Sequence, residues 1–309
     1  MAKPTIFIDG EHGTTGLEIR QRLDGLPRYA VKSIAEAHRK DASARREMMA
    51  SVDLVILCLP DDAAKEAAAL AADLGDAAPK LLDASSAHRV ADGWVYGFPE
   101  LGADQPELIA RAPRVANPGC YPTGGIALIR PLVDAGLISA DYPISINAVS
   151  GYSGGGKSMI EQYENGQGPS FELYGLALSH KHLPETQVYS GLKTRPIFVP
   201  SVGNFRQGML VSVPLHLDAL PGKPKATDLE AALANHYRGG DWVKVIPSLL
   251  AAPRKDRIEA EALNGTNTLE LRVYANEQYR QAVLVARLDN LGKGASGAAV
   301  QNAALMLGV

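Results

Sequence analysis

The chain has 309 residues, which is long enough for two domains. It carries 34 acidic and 31 basic side chains, a formal net charge of -3 at pH 7, and the basic residues are scattered, so the charge gives no reason to expect a nucleic-acid partner. Two cysteines exclude a disulfide framework and favour a reducing compartment. The start lacks the apolar core of a signal peptide and no apolar run is long enough for a bilayer, which predicts a cytoplasmic protein with a small-molecule partner and no membrane partner.

The N-terminal segment has the pattern of a strand, a glycine turn and a helix: PTIFID (4–9), GEHGTTG (10–16) and LEIRQRLDGL. In a dinucleotide-binding turn of this kind, glycines let the backbone approach a pyrophosphate, whose charge lies at the helix N-terminus. A tight turn with no ligand is the alternative. The predicted cofactor contacts in this turn are Gly10, Gly13, Thr14, Thr15 and Gly16.

Continued alternation of strands and helices predicts a doubly wound, parallel sheet. Strand-like runs occupy 29–35, 52–60, 80–85 and 114–117, and 36–49 and 61–75 have helical character. Ligands collect at the carboxyl ends of such strands, so Gly10, Pro60, Ser85 and Asn117 are expected to face one crevice. Cys58 lies inside the apolar run VDLVILCLP and is expected to be a buried small hydrophobe.

The segment after the second strand bears on the choice of nicotinamide cofactor. Glu36 lies 20 residues beyond Gly16, where an acidic residue would hold a ribose 2′-hydroxyl. His38, Arg39 and Lys40 follow, and these cations would suit a 2′-phosphate, although a solvated helix face is an equal alternative. We predict NADP, with Arg39 and Lys40 as contacts.

The segment NPGCYPTG (117–124) predicts a sharp bend that carries a thiol. Pro118 restricts Asn117 to extended conformations, Gly119 tolerates unusual dihedral angles, and Pro122 disfavours helix at the preceding residue. The small-residue run that follows predicts a helix, so Cys120 is expected just ahead of a helix N-terminus, which favours a thiolate. Cys120 is therefore a candidate nucleophile, with a buried structural cysteine as the alternative.

Two motifs in the second half allow competing interpretations. GYSGGGKS (151–158) matches the phosphate-loop pattern, but only a short helix follows, and the only good apolar strand followed by a pair of aspartates, VILCLPDD, precedes the loop. A glycine-rich anion pocket fits the motif equally well. In SHKHLPE (179–185), His180 and His182 face the same side of an extended segment. Glu185 could complete a metal site, but no second cluster supports one, so we predict no metal and a base for the thiol.

The remaining segments predict an antiparallel sheet and a closing helix. Residues 198–217 have the alternation of a long strand after a bend, and Arg206 at that bend could bind a carboxylate or phosphate or simply be solvated. Residues 268–289 predict a hairpin in a sheet that could carry a dimer or tetramer interface. The small-residue tail predicts a helix that packs on the nucleotide domain.

Several ordered motifs together resemble the shorter type of N-acetyl-γ-glutamyl-phosphate reductase across essentially the whole chain. The motifs are GEHGTTG, LCLPDDAA, DASSAHR, YGFPE, NPGCYPT, SGYSGGGKS, HKHLPE and LDNLGKGASGAAVQN. The resemblance implies an α/β fold: a Rossmann-type NADP-binding domain at 1–118, completed by a C-terminal helix at 293–309, and a mixed α/β catalytic and dimerisation domain at 119–292. It also implies a homodimer or homotetramer.

The resemblance further implies roles for individual residues. Cys120 falls on the nucleophile, His182 on the base, and Lys157 in the active-site loop. The implied substrate contacts are Arg89, Asn117, Ser153, His180, Glu185 and Arg206. The implied cofactor contacts outside the first turn are Pro60, Ser85, Gly154, Asn290, Gly292 and Lys293.

The implied reaction is NADPH-dependent reduction of an acyl phosphate through a thioester on Cys120. Aspartate-semialdehyde dehydrogenase and the aminoadipyl-phosphate reductase of lysine synthesis share this logic. The ordered motifs favour the arginine-pathway reaction, on N-acetylglutamyl phosphate.

Overall fold

A computed structural model describes residues 3–39, 41–248 and 256–309, so the predicted contact Lys40 lies outside the described residues. The chain forms two compact units. The first unit comprises Met1–Pro99, Ala103–Pro118 and Ala295–Val309, and the second comprises Glu100–Gly102 and Gly119–Gly294. The predicted fold class, a Rossmann-type domain with a mixed α/β domain, is confirmed.

The first unit is built on a six-stranded parallel sheet. Its strands are β1 (Thr5–Asp9), β2 (Ala30–Lys32), β3 (Leu54–Leu57), β4 (Lys80–Asp83), β5 (Val95–Tyr96) and β6 (Arg114–Ala116). Their order in the sheet is β2-β1-β3-β4-β6-β5. The chain therefore reverses its direction of travel across the sheet between β1 and β3, the point where doubly wound sheets bind ligands.

Helices cover both faces of this sheet because each strand is apolar on both sides. They are α1 (Thr14–Asp24), α2 (Ala42–Ala50), α3 (Asp61–Ala72) and α4 (Gln105–Arg111). Ile6, Ile8 and Ile56 pack with α1 residues in one core cluster, whereas Phe7 and Val55 pack with α2 and α3 residues in another. Alternation along β1 thus decides which core each side chain enters.

The second unit contains a seven-stranded mixed sheet. Its strands are β7 (Ser145–Gly151), β8 (Phe171–Leu173), β9 (Ile197–Gly203), β10 (Met209–His216), β11 (Val243–Val245), β12 (Leu269–Asn276) and β13 (Gln281–Leu288), in the order β11-β12-β13-β10-β7-β9-β8. The predicted hairpin at 268–289 is confirmed, since β12 and β13 pair antiparallel from Leu269↔Leu288 to Asn276↔Gln281.

The helices of the second unit are α5 (Cys120–Asp134), α6 (Gly156–Glu164), α7 (Leu183–Tyr189) and α8 (Ala226–His236). Helix α5 packs against β10, β12 and β13 and is buried along most of its length. A Cβ on Gly124 would lie 2.9 Å from the Val211 side chain, so the glycine permits close helix–sheet contact. This packing fixes the N-terminus of α5, where Cys120 lies.

The chain ends in the first unit. A π-helical turn at Gly292–Ser296 leads into α9 (Gly297–Leu307), which packs against α1, α4 and β4. The buried face of α9 consists of small residues such as Ala299 and Ala303, which let the helix approach closely. Within the part of the chain that the structure describes, no helix has the length and apolar character needed to span a membrane.

Candidate active site

The glycine turn after β1 requires glycine for steric reasons. Gly10 has φ of +91°, and a Cβ there would lie 2.4 Å from the Cys58 carbonyl oxygen. A Cβ on Gly16 would lie 2.4 Å from the Gly10 carbonyl oxygen. Gly13 is the N-cap of α1 and has no side chain to cover the first-turn N–H groups, which belong to residues that include Thr14 and Thr15. The turn therefore offers backbone donors to an anion.

A cavity of about 290 Å³ adjoins this turn. The predicted contacts Gly10, Gly13, Arg39 and Pro60 line it, together with Cys58. The residues present thus fit a dinucleotide: a glycine cradle that a Cβ would fill, backbone donors at a helix N-terminus and a cation on the wall. Burial raises the pKa of the Cys58 thiol, as expected of a small buried side chain without nucleophilic character.

Asp9 and Arg39 are two of the ionisable residues that line the cavity, together with Glu11 and His12. The Asp9 carboxylate is buried and accepts two hydrogen bonds from Arg45, at 2.6 Å and 3.1 Å. Burial nevertheless raises the pKa of Asp9, and the hydrogen bond and charge of Arg45 oppose that rise. The Arg39 guanidinium lies 3.6 Å from the exposed Glu36 carboxylate and stays partly solvated.

The DASSAHR turn of the first unit is organised by Asp83, which sequence reasoning did not identify. The fully buried Asp83 carboxylate accepts hydrogen bonds from the N–H and hydroxyl of Ser85, at 2.9 Å and 2.7 Å, and from Nδ1 of His88, at 2.7 Å. The His88 ring stacks on Trp94. Ser85 thus lies at the strand end, as predicted, with its hydroxyl directed to Asp83.

Arg89 and Asn117 lie together in the first unit. The buried Arg89 guanidinium donates from Nε to the Asn117 carbonyl oxygen at 3.0 Å. The Asn117 side chain donates to the Ala295 carbonyl oxygen and accepts from Asn302 of α9, at 3.1 Å and 3.0 Å. Asn302 is another residue that sequence reasoning missed, because its partners lie 185 and 205 positions away.

Cys120 is the first residue of α5, with Gly119 as the N-cap. It therefore lies within the first helical turn, one position further than the sequence predicts. The Gly119 N–H donates to the buried Glu185 carboxylate at 3.1 Å. Glu185 belongs to α7, so this hydrogen bond joins the cysteine turn to the HKHLPE segment.

Both imidazoles of the HKH segment lie beside the cysteine turn. The ring of Tyr121, the residue after Cys120, makes edge contacts with His180 and His182, with centroid distances of 6.1 Å and 5.9 Å. The two imidazole centroids are 4.7 Å apart. Nδ1 of His180 accepts a hydrogen bond from the His182 N–H at 3.2 Å, so a neutral His180 carries its proton on Nε2.

A tyrosine pair lies against this group. Tyr174 donates its hydroxyl proton to the Tyr121 hydroxyl at 3.2 Å, and Tyr121 donates to the Ser201 carbonyl oxygen at 3.1 Å. Burial raises the pKa of Tyr174 to about 12 and that of Tyr121 further, and a negative charge on Cys120 contributes to both shifts. Both phenols are therefore neutral donors at physiological pH, near the thiol. In the sequence, the only indication that Tyr121 belongs to this group was its position next to Cys120.

The loop after β7, the turn after β9 and the loop after β13 meet elsewhere in the second unit. The Ser153 hydroxyl accepts from the Asn290 amide at 2.9 Å, and Asn290 accepts from the Gly208 N–H at 2.8 Å. A Cβ on Gly154 would lie 3.6 Å from the same Asn290 amide. Arg206 lies in the turn after β9 and forms an exposed ion pair with Glu164.

The phosphate-loop interpretation is not supported by the local geometry. The segment after β7 is a 3₁₀ turn closed by hydrogen bonds from the Tyr152 and Ser153 N–H groups to the carbonyl oxygens of Phe205 and Arg206. The Lys157 side chain is 82% exposed and lies 3.8 Å from Glu161. This lysine is directed to solvent on α6 and does not fold back over the loop.

The alternative interpretation of the HKHLPE segment was a metal site. Among residues 3–39, 41–248 and 256–309, no group of three or more histidine, cysteine or acidic side chains is arranged to hold a metal ion. The Glu185 carboxylate, the proposed third ligand, is bonded to the Gly119 N–H.

The predicted cofactor contacts Gly292 and Lys293 lie in the segment that follows β13. A Cβ on Gly292 would lie 2.0 Å from the Thr266 carbonyl oxygen, so only glycine fits there. The Lys293 ammonium is completely buried and lies 2.8 Å from each carboxylate oxygen of Glu100. The predicted cofactor contact at Lys293 is thus directed to a protein carboxylate in this structure.

Two family models together match most of the chain. The family model described as "Semialdehyde dehydrogenase, NAD binding domain" matches residues 6–109, and "Semialdehyde dehydrogenase, dimerisation domain" matches residues 120–290. Among solved structures, aspartate semialdehyde dehydrogenase II from Vibrio cholerae aligns with a TM-score of 0.73 at 17% identity, over 99% of each chain. At 17% identity, the similarity to this solved structure shows a shared fold and carries no information on substrate.

Curated relatives are much more similar in sequence. The chain is 52% identical to "N-acetyl-gamma-glutamyl-phosphate reductase 2" of Pseudomonas putida, over 100% of this chain and 98% of the relative. It is 55% identical to "N-acetyl-gamma-glutamyl-phosphate reductase" of Chelativorans sp., over 98% and 97% of the two chains. The chain therefore belongs to the N-acetyl-γ-glutamyl-phosphate reductase family of oxidoreductases.

Proposed function

We propose that the protein reduces N-acetyl-L-glutamyl 5-phosphate to N-acetyl-L-glutamate 5-semialdehyde with NADPH, releasing phosphate, as a step of arginine biosynthesis. The observation that carries the proposal is the arrangement around Cys120: a thiol in the first turn of a buried helix, with two imidazoles packed beside the following tyrosine. Full-length relatives at 52–55% identity carry this reductase name, which supports the substrate.

The first chemical step forms a thioester. His182 takes the Cys120 proton, and the sulfur attacks the activated carbonyl carbon of the acyl phosphate. Backbone N–H groups of the first turn of α5 stabilise the resulting oxyanion. Collapse expels phosphate, which takes the proton from His182, and leaves the acyl group on the sulfur.

The second step releases the aldehyde. NADPH, when bound, supplies the hydride that reduces the thioester carbonyl. The tetrahedral oxyanion that follows is again held by the α5 N–H groups, and it collapses to the aldehyde and the Cys120 thiolate. His182 then transfers a solvent proton to the sulfur, which restores the thiol. We propose that His180, with its proton on Nε2, donates to a substrate oxygen; the hydrogen bond that Nδ1 accepts from the His182 N–H supports this tautomer.

The other site residues keep their predicted roles as proposals. In the first unit, the glycine turn, Arg39, Lys40, Pro60 and Ser85 are proposed to hold NADP, and Arg89 and Asn117 to contact substrate. In the second unit, Ser153, Glu185 and Arg206 are proposed substrate contacts, and Gly154, Asn290 and Gly292 are proposed cofactor contacts. Lys293 is the exception among the predicted cofactor contacts, because its ammonium is directed to Glu100. Glu185 acts through the Gly119 N–H, which orients the turn that carries the thiol.

We further propose that the protein is a homodimer or homotetramer formed through the second unit. The matching family model is named for dimerisation. The side chains of Val199, Leu210 and Val283 alternate with residues that face the packed helices, and they remain partly exposed. Such an apolar sheet surface is typical of a subunit interface.

The decisive experiment measures phosphate-dependent reduction of NADP with N-acetylglutamate semialdehyde, beside aspartate semialdehyde. We expect activity with the first aldehyde and none without phosphate. Cys120→Ala should abolish turnover and leave NADPH binding intact, because covalent catalysis contributes far more than the tenfold that about 1.4 kcal/mol represents. Residual activity within tenfold of wild type would contradict the nucleophile assignment.

A trapping experiment locates the intermediate. Acid quenching during turnover, followed by peptide mass mapping, should find the acyl mass on the peptide that contains Cys120. The peptide that contains Cys58 serves as the internal control. Acylation on Cys58, or on neither peptide, would reject the thioester mechanism.

A further inference from the structure

The backbone of Gly294 lies directly against the Cys120 side chain. A Cβ on Gly294 would be 3.0 Å from the Cys120 Cβ and 3.3 Å from its Cα, which is tighter than ordinary van der Waals contact. Position 294 therefore has no room for a side chain beside the carbon that carries the thiol, so a close approach of the two segments requires glycine there. Gly294 and Cys120 both belong to the second unit.

The loop that carries Gly294 is anchored at its start by Asp289. The Gly294 N–H donates to the Asp289 carbonyl oxygen at 3.0 Å. The buried Asp289 carboxylate accepts from Leu291 N–H, Gly265 N–H and the Gln207 amide, at 2.9 Å, 2.8 Å and 2.6 Å. One end of the loop is thus fixed by hydrogen bonds to two neighbouring segments.

Lys293 anchors the other end. Its ammonium lies 2.8 Å from both oxygens of Glu100, and no part of the side chain is exposed. The Glu100 carbonyl oxygen in turn contacts Nε2 of His236 at the end of α8, 3.1 Å away. Burial lowers the pKa of Lys293, and the charge and hydrogen bonds of Glu100 oppose that shift.

The energetics of such a pair favour a geometric role. Desolvation of two ions offsets most of their attraction, so an apolar pair of similar volume would stabilise the fold about as well. An ion pair differs from an apolar contact in its directionality, since the ammonium is held between two oxygens at fixed distances. The pair therefore fixes the position of the Lys293 backbone, and with it that of Gly294.

We propose that Lys293, held by Glu100, is a positioning residue for the nucleophile, which acts through the contact of Gly294 with Cys120. The role of the thiol in catalysis rests on the proposed function; the mechanical coupling to it does not. Gly294 leaves room for the thiol, and the ion pair keeps this glycine at the distance that orients the Cys120 side chain.

Gly294→Ala tests the contact directly. The added methyl group must move Cys120 by a few tenths of an ångström, so we expect kcat to fall about 10- to 100-fold with little change in the KM for NADP. Gly102→Ala is the matched control, because a Cβ there meets no atom within 4 Å and Gly102 belongs to the same unit. Wild-type kcat in Gly294→Ala would overturn the proposal.

The ion pair is tested with two variants. Lys293→Met leaves the Glu100 carboxylate buried without its cation and is expected to lower the thermal midpoint strongly. Lys293→Met/Glu100→Met removes both charges and is expected to recover the midpoint but not kcat, which should remain at least about tenfold below wild type. A double variant with both the wild-type midpoint and wild-type kcat would show that the pair is only structural and would overturn the proposal.

Alkylation of Cys120 by iodoacetamide separates this proposal from the proposed function, because it needs no substrate. Peptide mapping as a function of pH should give an altered midpoint and at least about a fivefold slower rate for Gly294→Ala and for the double variant, and wild-type values for Gly102→Ala. Unchanged alkylation in both variants would reject the positioning role. Absence of phosphate-dependent turnover in the wild type, with altered alkylation in the variants, would reject only the proposed function.

Discussion

Arg39 is the residue through which cofactor choice can be tested. It lines the dinucleotide cavity, and its guanidinium is only loosely engaged by Glu36. A charge-assisted contact to a 2′-phosphate is lost when the cation is removed. We expect Arg39→Gln to raise the KM for NADP about 10- to 100-fold while the KM for NAD changes less than about twofold.

Lys65→Gln is the matched control for this substitution, because it removes one positive charge from an exposed position on α3 that pairs with Asp62. Steady-state kinetics with both cofactors provide the measurement. Equal losses for NADP and NAD in Arg39→Gln would show that the arginine does not read the 2′-phosphate.

Residues fixed by local chemistry could be predicted from the sequence, and residues fixed by distant partners could not. The turn that precedes α5 was predicted from the local chemistry of Pro118. Two details were wrong: Gly119 has ordinary extended dihedral angles, and Tyr121 and Pro122 lie inside α5, because proline is tolerated in the first turn of a helix. By contrast, the partner of Lys293 lies 193 positions away, and nothing in GKGAS indicates that this lysine is buried. Its carboxylate partner, Glu100, lies in the motif YGFPE, whose role in the second unit appears only in the fold.

The element β1 is joined to α2 by the ion pair of Asp9 and Arg45, and this pair predicts a pH effect. The folded-state pKa of Asp9 is raised above its ordinary value of 3.8, so its contribution to stability is present below that value and is lost as pH rises through the folded pKa. Arg45→Met removes the partner that opposes this rise. We therefore expect its deficit in the free energy of unfolding to grow with pH, to about 3 kcal/mol at pH 7.

Urea unfolding of the cofactor-free protein between pH 4 and pH 8 measures this dependence. Asp9→Asn/Arg45→Met is the control, since it leaves no carboxylate to ionise and should show a deficit that does not grow with pH. A deficit in Arg45→Met that is the same at pH 4 and pH 8 would contradict the assignment of the effect to Asp9.

Element boundaries show where local propensity was insufficient. Residues 36–49 were expected to form one helix, but the structure has a 3₁₀ turn at Glu36–His38 and begins α2 at Ala42. The Asp41 side chain accepts from the N–H groups of Ser43 and Ala44, which starts a new helix. The 3₁₀ turn leaves Arg39 on the wall of the cavity.

At the scale of the whole molecule, the order of strands and helices was sufficient to predict the class of fold. Alternating apolar strands and helices predict a parallel sheet covered on both faces, and the hairpin pattern predicts an antiparallel strand pair. The wholly antiparallel second sheet that was expected is wrong, because β7 pairs parallel with β9 and β11 pairs parallel with β12. Pairing across the second sheet joins strands that are distant in sequence, such as β10 with β13 and β7 with β9. Sequence periodicity does not encode such pairings, so the neighbours of each site segment emerged only in the structure.

The second sheet also predicts how the molecule assembles. On β13 the side chain of Val283 is partly exposed and borders a groove of about 580 Å³ with Pro214 and Tyr274. If a second copy packs on this surface, Val283→Arg places two unpaired charges in a two-fold interface, one from each subunit. We expect the wild type to sediment at twice or four times the chain mass of 32.8 kDa, and Val283→Arg to sediment at a smaller multiple.

Leu108→Arg is the control for added surface charge, because Leu108 is 52% exposed on α4 of the first unit. It should keep the wild-type mass. Far-ultraviolet circular dichroism must be the same in all three proteins, which distinguishes loss of the interface from unfolding. A wild type that sediments as a single chain would reject the proposed assembly. A folded Val283→Arg that retains the full assembly mass would exclude this surface as the interface and would place self-association elsewhere on the chain.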